Sequence, residues 1–361
     1  MEFKARLAGS RVLVTGGAGF IGSHLVRALL ELGASVRVLD NFSTGSRRNL
    51  AHLSGPIDLV EGSLTDPSGL TRALRQIDYV LHQGAIPSVP RSIEDPATCH
   101  AANVEGTLAL LIAARAAGIR RLVYASSSSV YGDPATLPVV ESLPTAPLSP
   151  YAVQKLAAEQ YCRVFHRVYG LETVCLRYFN VFGARQDPRS TYAAVVPRII
   201  TAALEERVFV VNGDGCQSRD FTHVDNVVNA NLLALTAPAA PGQVFNIACG
   251  NSVTLNQLIE MIATLSGREV RTEYGPRRPA DVLHSLANIS GARDVLGYRP
   301  RVTVRDGLRK TIDWFTGCGV EGERLPTTAA AAGPAEMDDD ADEAEALCAV
   351  RGHTLGLPRW S

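Results

Sequence analysis

A glycine-rich segment near the amino terminus constrains the fold more than any other feature of the chain. Gly16, Gly19 and Gly22 recur at every third position, directly after the β-branched run Arg11–Thr15. The residues that follow, Phe20 to Leu32, repeat apolar side chains at helical spacing. Glycine permits a tight turn here and lets backbone N–H groups approach a pyrophosphate, which a helix N-terminus stabilises. The segment predicts a βαβ unit that binds a dinucleotide, and a purely structural turn is the alternative.

Short β-branched runs alternate with longer amphipathic segments up to about Asn180. Such alternation is typical of a parallel sheet covered by helices on both faces. We therefore expect an α/β fold, a Rossmann-type doubly wound parallel sheet with a smaller α/β substrate-binding lobe. The expected strands are Arg11–Thr15, Ser35–Asp40, Ile57–Glu61, Tyr79–Gln83, Leu122–Ser126 and Thr173–Arg177. The expected helices are Phe20–Leu32, Pro67–Arg75, Val104–Ala117 and Ala152–Tyr169.

The chain divides into regions of different character. Residues 1–181 are expected to form the dinucleotide-binding domain, and part of 222–248 is expected to return to it. Residues 182–316, in which polar and proline-rich stretches separate helices, are expected to form a discontinuous substrate-binding lobe. Residues 317–361 contain four consecutive alanines and the acidic run Asp338–Asp340, a composition typical of a disordered tail.

Composition limits the classes of partner. The formal net charge of the 361 residues is -1 and the basic residues are scattered, which argues against nucleic acid and anionic membranes. No run approaches the roughly 20 apolar residues of a membrane span. The seven cysteines lack CxxC or CxxH spacing, and His223 and His284 lack companion ligands, so we expect neither disulfides nor a metal site. These features predict a cytoplasmic protein that acts on small molecules.

Asp40 ends the second expected strand, 18 residues beyond Gly22. A carboxylate at this place accepts hydrogen bonds from the adenosine ribose hydroxyls and repels a 2′-phosphate. Asp40 therefore favours NAD over NADP as the cofactor. The alternative is an ordinary residue that ends a strand in a turn.

Tyr151 and Lys155 lie four residues apart at the start of an expected helix, so their side chains project from one face. A tyrosine that accepts a proton near pH 7 needs a pKa below its usual value of about 10, which a nearby ammonium group and a nicotinium ring would supply. Ser126 to Ser129 follow a strand, at the edge where such sheets bind ligands. A Tyr-x-x-x-Lys pair alone is common on helix surfaces, but the glycine loop and the serines favour catalysis.

A family resemblance rests on these motifs together with Asn103, Tyr131-Gly132, Arg177-Tyr178-Phe179-Asn180 and Arg219-Asp220-Phe221. The chain resembles the extended short-chain dehydrogenase/reductases of the NAD-dependent epimerase/dehydratase family, which act on nucleotide sugars. The similarity runs from about Arg11 to Phe315. Within the family it is most similar to bacterial UDP-N-acetylglucosamine 4-epimerases.

The resemblance implies a role for each matching residue. The implied catalytic trio is Ser127, Tyr151 and Lys155. The residues implied to bind NAD are Gly16, Gly19, Phe20, Ile21, Gly22, Asp40, Asn41, Thr44, Gly45, Leu64, Gly84, Ala85, Asn103, Ser126, Tyr151, Lys155, Tyr178 and Val181. The residues implied to bind a UDP-sugar are Ser127, Ser128, Tyr151, Asn180, Ala194, Val195, Arg219, Arg278, Asp281 and Ser285. Arg219 and Arg278 are implied to contact the diphosphate, which suits a planar guanidinium, and Asp281 the uridine ribose.

The implied reaction is inversion of carbon 4 of a UDP-sugar through a 4-keto intermediate. UDP-N-acetylglucosamine and UDP-N-acetylgalactosamine are the expected pair, because Ser285 is small enough to leave room for an acetamido group. UDP-glucose and UDP-galactose are the second expected pair. A nucleotide-sugar dehydratase or decarboxylase, including one that acts on UDP-glucuronate, is the alternative enzyme. Ser128 and Ser129 argue against it, because such relatives carry carboxylates there.

Two questions stay open at this point. A catalytically silent NAD-binding sensor is an alternative of a different class, against which the retained catalytic trio argues. Ser63, Pro87 and Leu283 depart from the family pattern, which weakens the choice of substrate more than the reaction class. A homodimer is also implied by the resemblance, built on the helices near Val104 and Ala157.

Overall fold

The computed structural model describes residues 6–188, 194–277 and 282–317. Its main sheet has seven parallel strands in the order β11-β6-β5-β4-β1-β2-β3. These strands are β1 Arg11–Thr15, β2 Ser35–Asp40, β3 Ile57–Glu61, β4 Tyr79–His82, β5 Arg121–Ser127, β6 Glu172–Tyr178 and β11 Val244–Ile247. The short strands β7 Val181–Phe182, β8 Phe209–Asn212, β9 Ser218–Arg219, β10 Thr222–His223, β12 Val253–Thr254 and β13 Thr272–Gly275 pair two by two.

Helices connect and cover the strands. The α-helices are α1 Phe20–Glu31, α2 Arg48–Ala51, α3 Pro67–Leu74, α4 Val89–Glu94, α5 Pro96–His100, α6 Gly106–Ala116, α7 Pro150–Tyr169, α8 Val195–Leu204, α9 Val224–Thr236, α10 Leu255–Ser266 and α11 Val304–Phe315. Short π-helices cover Ala101–Glu105 and Ala292–Leu296, and a 3-10 turn covers Ser128–Tyr131. No helix in these three described ranges is long and apolar enough to cross a membrane.

The strand order reverses between β1 and β4, because β2 and β3 lie on one side of β1 whereas β4, β5 and β6 lie on the other. In sheets of this kind the loops that leave two such strands diverge to opposite faces and open a ligand crevice. The glycine segment follows β1 and Gly84 follows β4. The predicted cofactor loop therefore lies at the point where this fold binds ligands.

Apolar side chains on both faces of the sheet explain its stability. Val12 and Val14 point to one face and pack with α1 and α9, whereas Leu13 points to the other and packs with α3, α6 and α7. All three side chains are fully buried. Strands covered on both faces contain continuous apolar runs, which is why β1 could be recognised in the sequence.

A third apolar cluster lies outside the main sheet. Helices α8, α10 and α11 pack there around Phe209, Val211 and Phe221. These elements fall in the stretch that we expect to form the substrate-binding lobe. The edge strand β11 pairs with β6 in the main sheet, although its residues follow those of α8 in the chain.

Two helix starts differ from the sequence prediction by two residues, and three helices end one residue earlier than predicted. The helix expected from Val104 begins in the π-helix Ala101–Glu105 and becomes α-helical only at Gly106. Helix α7 begins at Pro150, two residues before the predicted start, because Ser149 Oγ accepts a hydrogen bond from the N–H of Ala152 at 3.2 Å. Hydrophobic periodicity locates the middle of a helix, whereas capping contacts set its ends.

Candidate active site

The glycine segment forms a cradle with no room for side chains. A Cβ on Gly16 would lie 2.7 Å from the backbone nitrogen of Gly84, and a Cβ on Gly22 would lie 2.1 Å from the carbonyl oxygen of Gly16. Gly16 also has a φ of 66°, which favours glycine. Gly19 is the N-cap of α1 and supplies no side-chain acceptor to the N–H groups of Phe20 and Ile21. This cradle fits a pyrophosphate, which would accept hydrogen bonds from those groups.

The Asp40 carboxylate stabilises this cradle through hydrogen bonds with the backbone. Its Oδ2 accepts a hydrogen bond from the N–H of Ala18 at 2.9 Å, and its Oδ1 accepts one from the N–H of Phe42 at 2.8 Å. The residue is buried. Each carboxylate oxygen has a second acceptor site, so Asp40 can hold the loop and still accept a ribose hydroxyl. The sequence predicted only the second of these two roles.

Other predicted cofactor residues surround the same cradle. A Cβ on Gly45 would lie 2.9 Å from the carbonyl carbon of Ala18. A Cβ on Gly84 would lie 3.0 Å from the side chain of Leu64. Asn41 Oδ1 accepts hydrogen bonds from the N–H and hydroxyl of Ser43 and so shapes the turn before Thr44. The structure thus brings the loops after β1, β2, β3 and β4 together at one edge of the sheet.

We predict that the wild-type protein prefers NAD to NADP, because the Asp40 carboxylate would face a 2′-phosphate of like charge. Replacement of Asp40 by Ala should weaken this preference. It should also destabilise the fold by about 1–3 kcal/mol, because two buried N–H groups lose their acceptor. Titration calorimetry with both cofactors tests the preference, and thermal denaturation tests the stability. Equal affinity of the wild type for NAD and NADP would show that Asp40 does not select the cofactor.

The three predicted catalytic side chains converge at the carboxyl edge of the sheet. Ser127 ends β5, whereas Tyr151 and Lys155 lie in the first two turns of α7. Ser127 lies close enough to Tyr151 to lower the pKa of the phenol. The Lys155 ammonium lies 6.0 Å from the centre of the Tyr151 ring and donates a hydrogen bond to the carbonyl of Ala125 at 2.9 Å.

Burial and one neighbouring hydroxyl set the electrostatics of the trio. Burial raises the pKa of Tyr151 to about 12, and Ser127 offsets only part of this rise. Burial lowers the pKa of Lys155 to about 8. The Lys155 ammonium is directed at the carbonyl of Ala125. Within the protein itself, Ser127 is the group that favours the phenolate.

Ser129 reinforces the position of Ser127. Its hydroxyl and its backbone N–H both donate to Ser127 Oγ, at 2.9 and 3.2 Å. Ser128 starts the 3-10 turn that begins directly after β5. The serine run therefore folds back on itself and fixes the hydroxyl that faces Tyr151.

A buried ion pair supports the trio, and the sequence analysis did not predict it. Glu159 accepts hydrogen bonds from Ser126 Oγ at 2.6 Å and from Arg177 Nη2 at 2.6 Å. Glu159 is fully buried and lies on α7 one turn after Lys155. A carboxylate four residues beyond the lysine, on the buried face of the same helix, was the signal that could have revealed it.

Two predicted cofactor residues use their polar groups within the protein. Asn103 Oδ1 accepts a hydrogen bond from the N–H of Ile86 at 2.8 Å. Its Nδ2 donates to the carbonyl of Ile86 at 3.2 Å and to Gln154 Oε1 at 2.9 Å. The Tyr178 hydroxyl bonds Asn231 of α9 at 2.8 Å. Asn103 and Tyr178 therefore position the loop after β4 and the end of β6. Ala85 lies in that loop, and Val181 lies in β7 beyond Tyr178.

Apart from Ser127, Ser128 and Tyr151, the predicted substrate residues that the structure describes fall in two groups. Asn180, Arg219 and Ser285 are brought together around β9, since Asn180 Nδ2 bonds the carbonyl of Asp220 at 3.3 Å and the N–H of Ser285 bonds the carbonyl of Ser218 at 3.0 Å. Ala194 and Val195 cap and begin helix α8. Arg278 and Asp281 lie outside the described residues.

Comparisons with known proteins agree with this architecture. Residues 12–248 match the model of the NAD dependent epimerase/dehydratase family. The UDP-glucose 4-epimerase of Mycolicibacterium smegmatis is 39% identical over 310 residues, which cover 84% of this chain and 98% of that one.

Two solved structures are similar over almost their whole length. The UDP-N-acetylglucosamine 4-epimerase of Methanobrevibacter ruminantium, in complex with UDP-N-acetylmuramic acid, has a TM-score of 0.82 and 40% identity, covering 86% of this chain and 99% of that one. The UDP-glucose 4-epimerase of Thermus thermophilus, in complex with NAD, has a TM-score of 0.78 and 37% identity, covering 85% and 99%.

These matches confirm three predictions made from the sequence: the family, the Rossmann-type fold and NAD as the cofactor. The family model covers more than half of the chain, and the glycine cradle that it includes has the geometry that a dinucleotide requires. The chain belongs to the NAD dependent epimerase/dehydratase family.

Proposed function

We propose that this protein inverts carbon 4 of a UDP-sugar, with UDP-N-acetylglucosamine and UDP-N-acetylgalactosamine as its preferred pair. The convergence of Ser127, Tyr151 and Lys155 beside the glycine cradle carries the proposal. The relatives at 37–40% identity are named for 4-epimerases of UDP-glucose or UDP-N-acetylglucosamine, which supports the same reaction class.

NAD would be held by the cradle of Gly16, Gly19 and Gly22, by Asp40 and by Lys155. When bound, NAD supplies a hydride acceptor that later returns the hydride to the sugar. The protein must therefore retain its cofactor through the cycle, because no net oxidation occurs.

The side chains of the trio divide the proton chemistry among them. Tyr151 Oη removes the proton from the carbon-4 hydroxyl and returns it when the 4-keto sugar is reduced from its other face. Ser127 favours the phenolate of Tyr151, and its Oγ would bond the reacting oxygen. Lys155, with its pKa near 8, is mostly protonated at pH 7 and contributes a positive charge to the same cavity.

The 4-keto sugar must rotate within the site while its diphosphate stays bound. We assign this anchoring role to Asn180 and Arg219, and on the family resemblance to Arg278 and Asp281. The Arg219 guanidinium bonds the carbonyl of Leu283 at 3.0 Å, which holds it beside the segment of Ser285. A rigid anchor and an unrestrained sugar would allow both faces of carbon 4 to meet the cofactor.

The arrangement favours epimerisation over dehydration or decarboxylation. Ser128 and Ser129 stand where those enzymes carry carboxylates, and Ser129 uses its hydroxyl to bond Ser127 at 2.9 Å. A hydroxyl cannot replace a carboxylate as the acid or base that eliminates water. The intact trio also argues against a silent NAD-binding sensor.

The decisive experiment is incubation of the purified protein, without added cofactor, with UDP-glucose, UDP-N-acetylglucosamine or UDP-glucuronate. Each product mixture is hydrolysed and its sugars are analysed. We expect galactosamine from the acetamido substrate. A 4-keto-6-deoxy sugar or a pentose would instead identify a dehydratase or a decarboxylase, and unchanged sugars in all three reactions would favour the sensor.

A second test concerns the choice of sugar. Ser285 is partly exposed, and its N–H bonds the carbonyl of Ser218, the residue before Arg219. We predict that Ser285→Tyr lowers turnover of UDP-N-acetylglucosamine at least about tenfold and spares UDP-glucose, because overpacking costs roughly 1–3 kcal/mol. Ser285→Thr is the matched control. Equal loss on both substrates would show that Ser285 does not gate the acetamido group.

We also propose a homodimer formed through α6 and α7. Exposed apolar side chains follow one face of α7 at helical spacing, and Ile112 of α6 is also exposed. These α7 residues are Val153, Tyr161, Val164 and Val168. A face of this kind is normally covered in a soluble protein. Sedimentation of the wild type as a dimer and of Val164→Asp as a monomer would support this interface.

A further inference from the structure

A single buried carboxylate joins three chain segments beside the predicted substrate residues. Asp220 is fully buried, and its Oδ1 accepts a hydrogen bond from the N–H of Cys249 at 2.9 Å. Its Oδ2 accepts from the N–H groups of Gly250 at 3.0 Å and Ala287 at 3.2 Å. Three backbone donors on one side chain form a joint between the loop after β11 and the segment that reaches Ala287.

The predicted substrate residues attach to the same joint. Asn180 Nδ2 bonds the backbone carbonyl of Asp220 at 3.3 Å, and Arg219 is the preceding residue. Ser285 lies two residues before Ala287, and Ser252 Oγ reaches its carbonyl at 3.5 Å from the loop after β11. A shift of any of these segments would therefore move Asn180, Arg219 and Ser285 relative to one another.

We propose that Asp220 is a positioning residue that sets the affinity for the nucleotide sugar, and that this affinity falls when its carboxyl is protonated. The inference rests on the proposed function, because it assumes that Asn180, Arg219 and Ser285 contact a UDP-sugar. Asp220 itself has no access to substrate. It acts by holding the backbone that carries these residues.

The surroundings of the carboxyl place its titration close to neutral pH. Burial raises the pKa of Asp220 to about 6, and its hydrogen bonds from Cys249 and the other backbone donors limit the rise. The titratable groups that face it are the Cys249 thiol, with a pKa near 12, and the Tyr298 phenol, whose pKa is also raised by burial. Both are neutral at pH 7. On its own segment the charged neighbour is Arg219, and the His223 imidazole, whose pKa burial lowers to about 4, is neutral.

Protonation would change the joint in a definite way. A neutral carboxyl accepts weaker hydrogen bonds than a carboxylate and carries an O–H that needs an acceptor, whereas N–H donors surround Asp220. The raised pKa also means that the stabilising contribution of this group is greatest at acid pH and is lost as the pH rises past about 6. Loss of affinity on acidification would therefore not reflect unfolding caused by Asp220.

The test measures the affinity for UDP-glucose by titration calorimetry at pH 7.5 and 5.5. This ligand has no group that titrates between these values, unlike UDP with its terminal phosphate. With a pKa near 6 the ionised fraction falls about fourfold over this range, so the wild-type Kd should rise about fourfold. Asp220→Asn should bind about tenfold or more weakly at pH 7.5, because its amide presents donors to donors, and should show no further loss at pH 5.5.

Two controls test whether the pH dependence comes from Asp220. His284→Gln removes the exposed imidazole that bonds Ser218 Oγ at 2.9 Å, and it should keep the wild-type pH dependence. Bound NAD and the melting temperature report whether Asp220→Asn folds. If it does not fold, the comparison of wild type with His284→Gln still decides the proposal.

The outcomes are distinct. A wild-type Kd that is constant between pH 7.5 and 5.5, a pH dependence that disappears in His284→Gln, or folded Asp220→Asn with a Kd within twofold of wild type would overturn the role of Asp220. Failure of the wild type to bind or epimerise any UDP-sugar at pH 7.5 would instead overturn the proposed function.

Discussion

Replacement of Tyr151 by Phe is expected to reduce turnover about 100- to 10,000-fold while leaving nucleotide-sugar affinity nearly unchanged. The change removes one hydroxyl, which is the proton acceptor of the trio, and almost no contact area. The Ser127 hydroxyl keeps its bonds from Ser129. Steady-state kinetics with UDP-N-acetylglucosamine, together with calorimetric binding of the same ligand, separates the two quantities.

Tyr169→Phe is the matched control, since Tyr169 is an exposed tyrosine at the end of the same helix, 18 residues beyond Tyr151. It should retain the turnover of the wild type. A Tyr151→Phe enzyme with turnover within threefold of wild type would rule out Tyr151 as the base. A large loss of affinity in that variant would indicate that the hydroxyl binds the substrate instead.

The sheet could be predicted because its strands are buried on both faces. Strands β1, β2 and β3 begin and end at the predicted residues, β4 ends one residue earlier than predicted, and β5 and β6 extend one residue further at each end. Continuous β-branched runs followed by amphipathic stretches leave few other arrangements. The glycine spacing was equally informative, since a Cβ at Gly16 or Gly22 would collide with backbone.

The contacts that support the site could not be predicted from local patterns. Asp40 was recognised as a carboxylate after a strand, but its bonds to Ala18 and Phe42 depend on how two loops meet. Asp220 joins residues 29 to 67 positions away, and no periodicity encodes such pairs. The pKa of Tyr151 illustrates the same limit, since it depends on burial and on the Ser127 hydroxyl at the end of a different element.

The buried ion pair of Glu159 and Arg177 is a contact whose loss we expect to lower the free energy of unfolding by a large amount. The side chains are 0% and 4% exposed, and two hydrogen bonds of 2.6 and 3.0 Å join them. Burial alone would lower the pKa of Arg177, but its hydrogen bonds to Glu159 raise it well above the usual value. The pair therefore keeps its charges under the sheet edge that carries Ser126.

Replacement of Glu159 by Gln is expected to destabilise the fold by about 3–5 kcal/mol, because it leaves the Arg177 guanidinium buried without a counter-charge. Urea denaturation of the NAD-loaded protein measures this cost. Glu172→Gln is the matched control, because Glu172 also pairs with an arginine, Arg121, but its side chain is 44% exposed. That control should cost about 1 kcal/mol or less.

A joint replacement distinguishes lost charge compensation from lost packing. In Glu159→Leu with Arg177→Met no uncompensated charge is buried, so stability should recover most of what Glu159→Gln loses. The double variant should recover less turnover than stability. Ser126 Oγ loses its acceptor in this variant, and the segment next to Ser127 therefore loses a support. Glu159→Gln that costs no more than Glu172→Gln would mean that water or another group compensates Arg177, and the pair would then be of little importance for the fold.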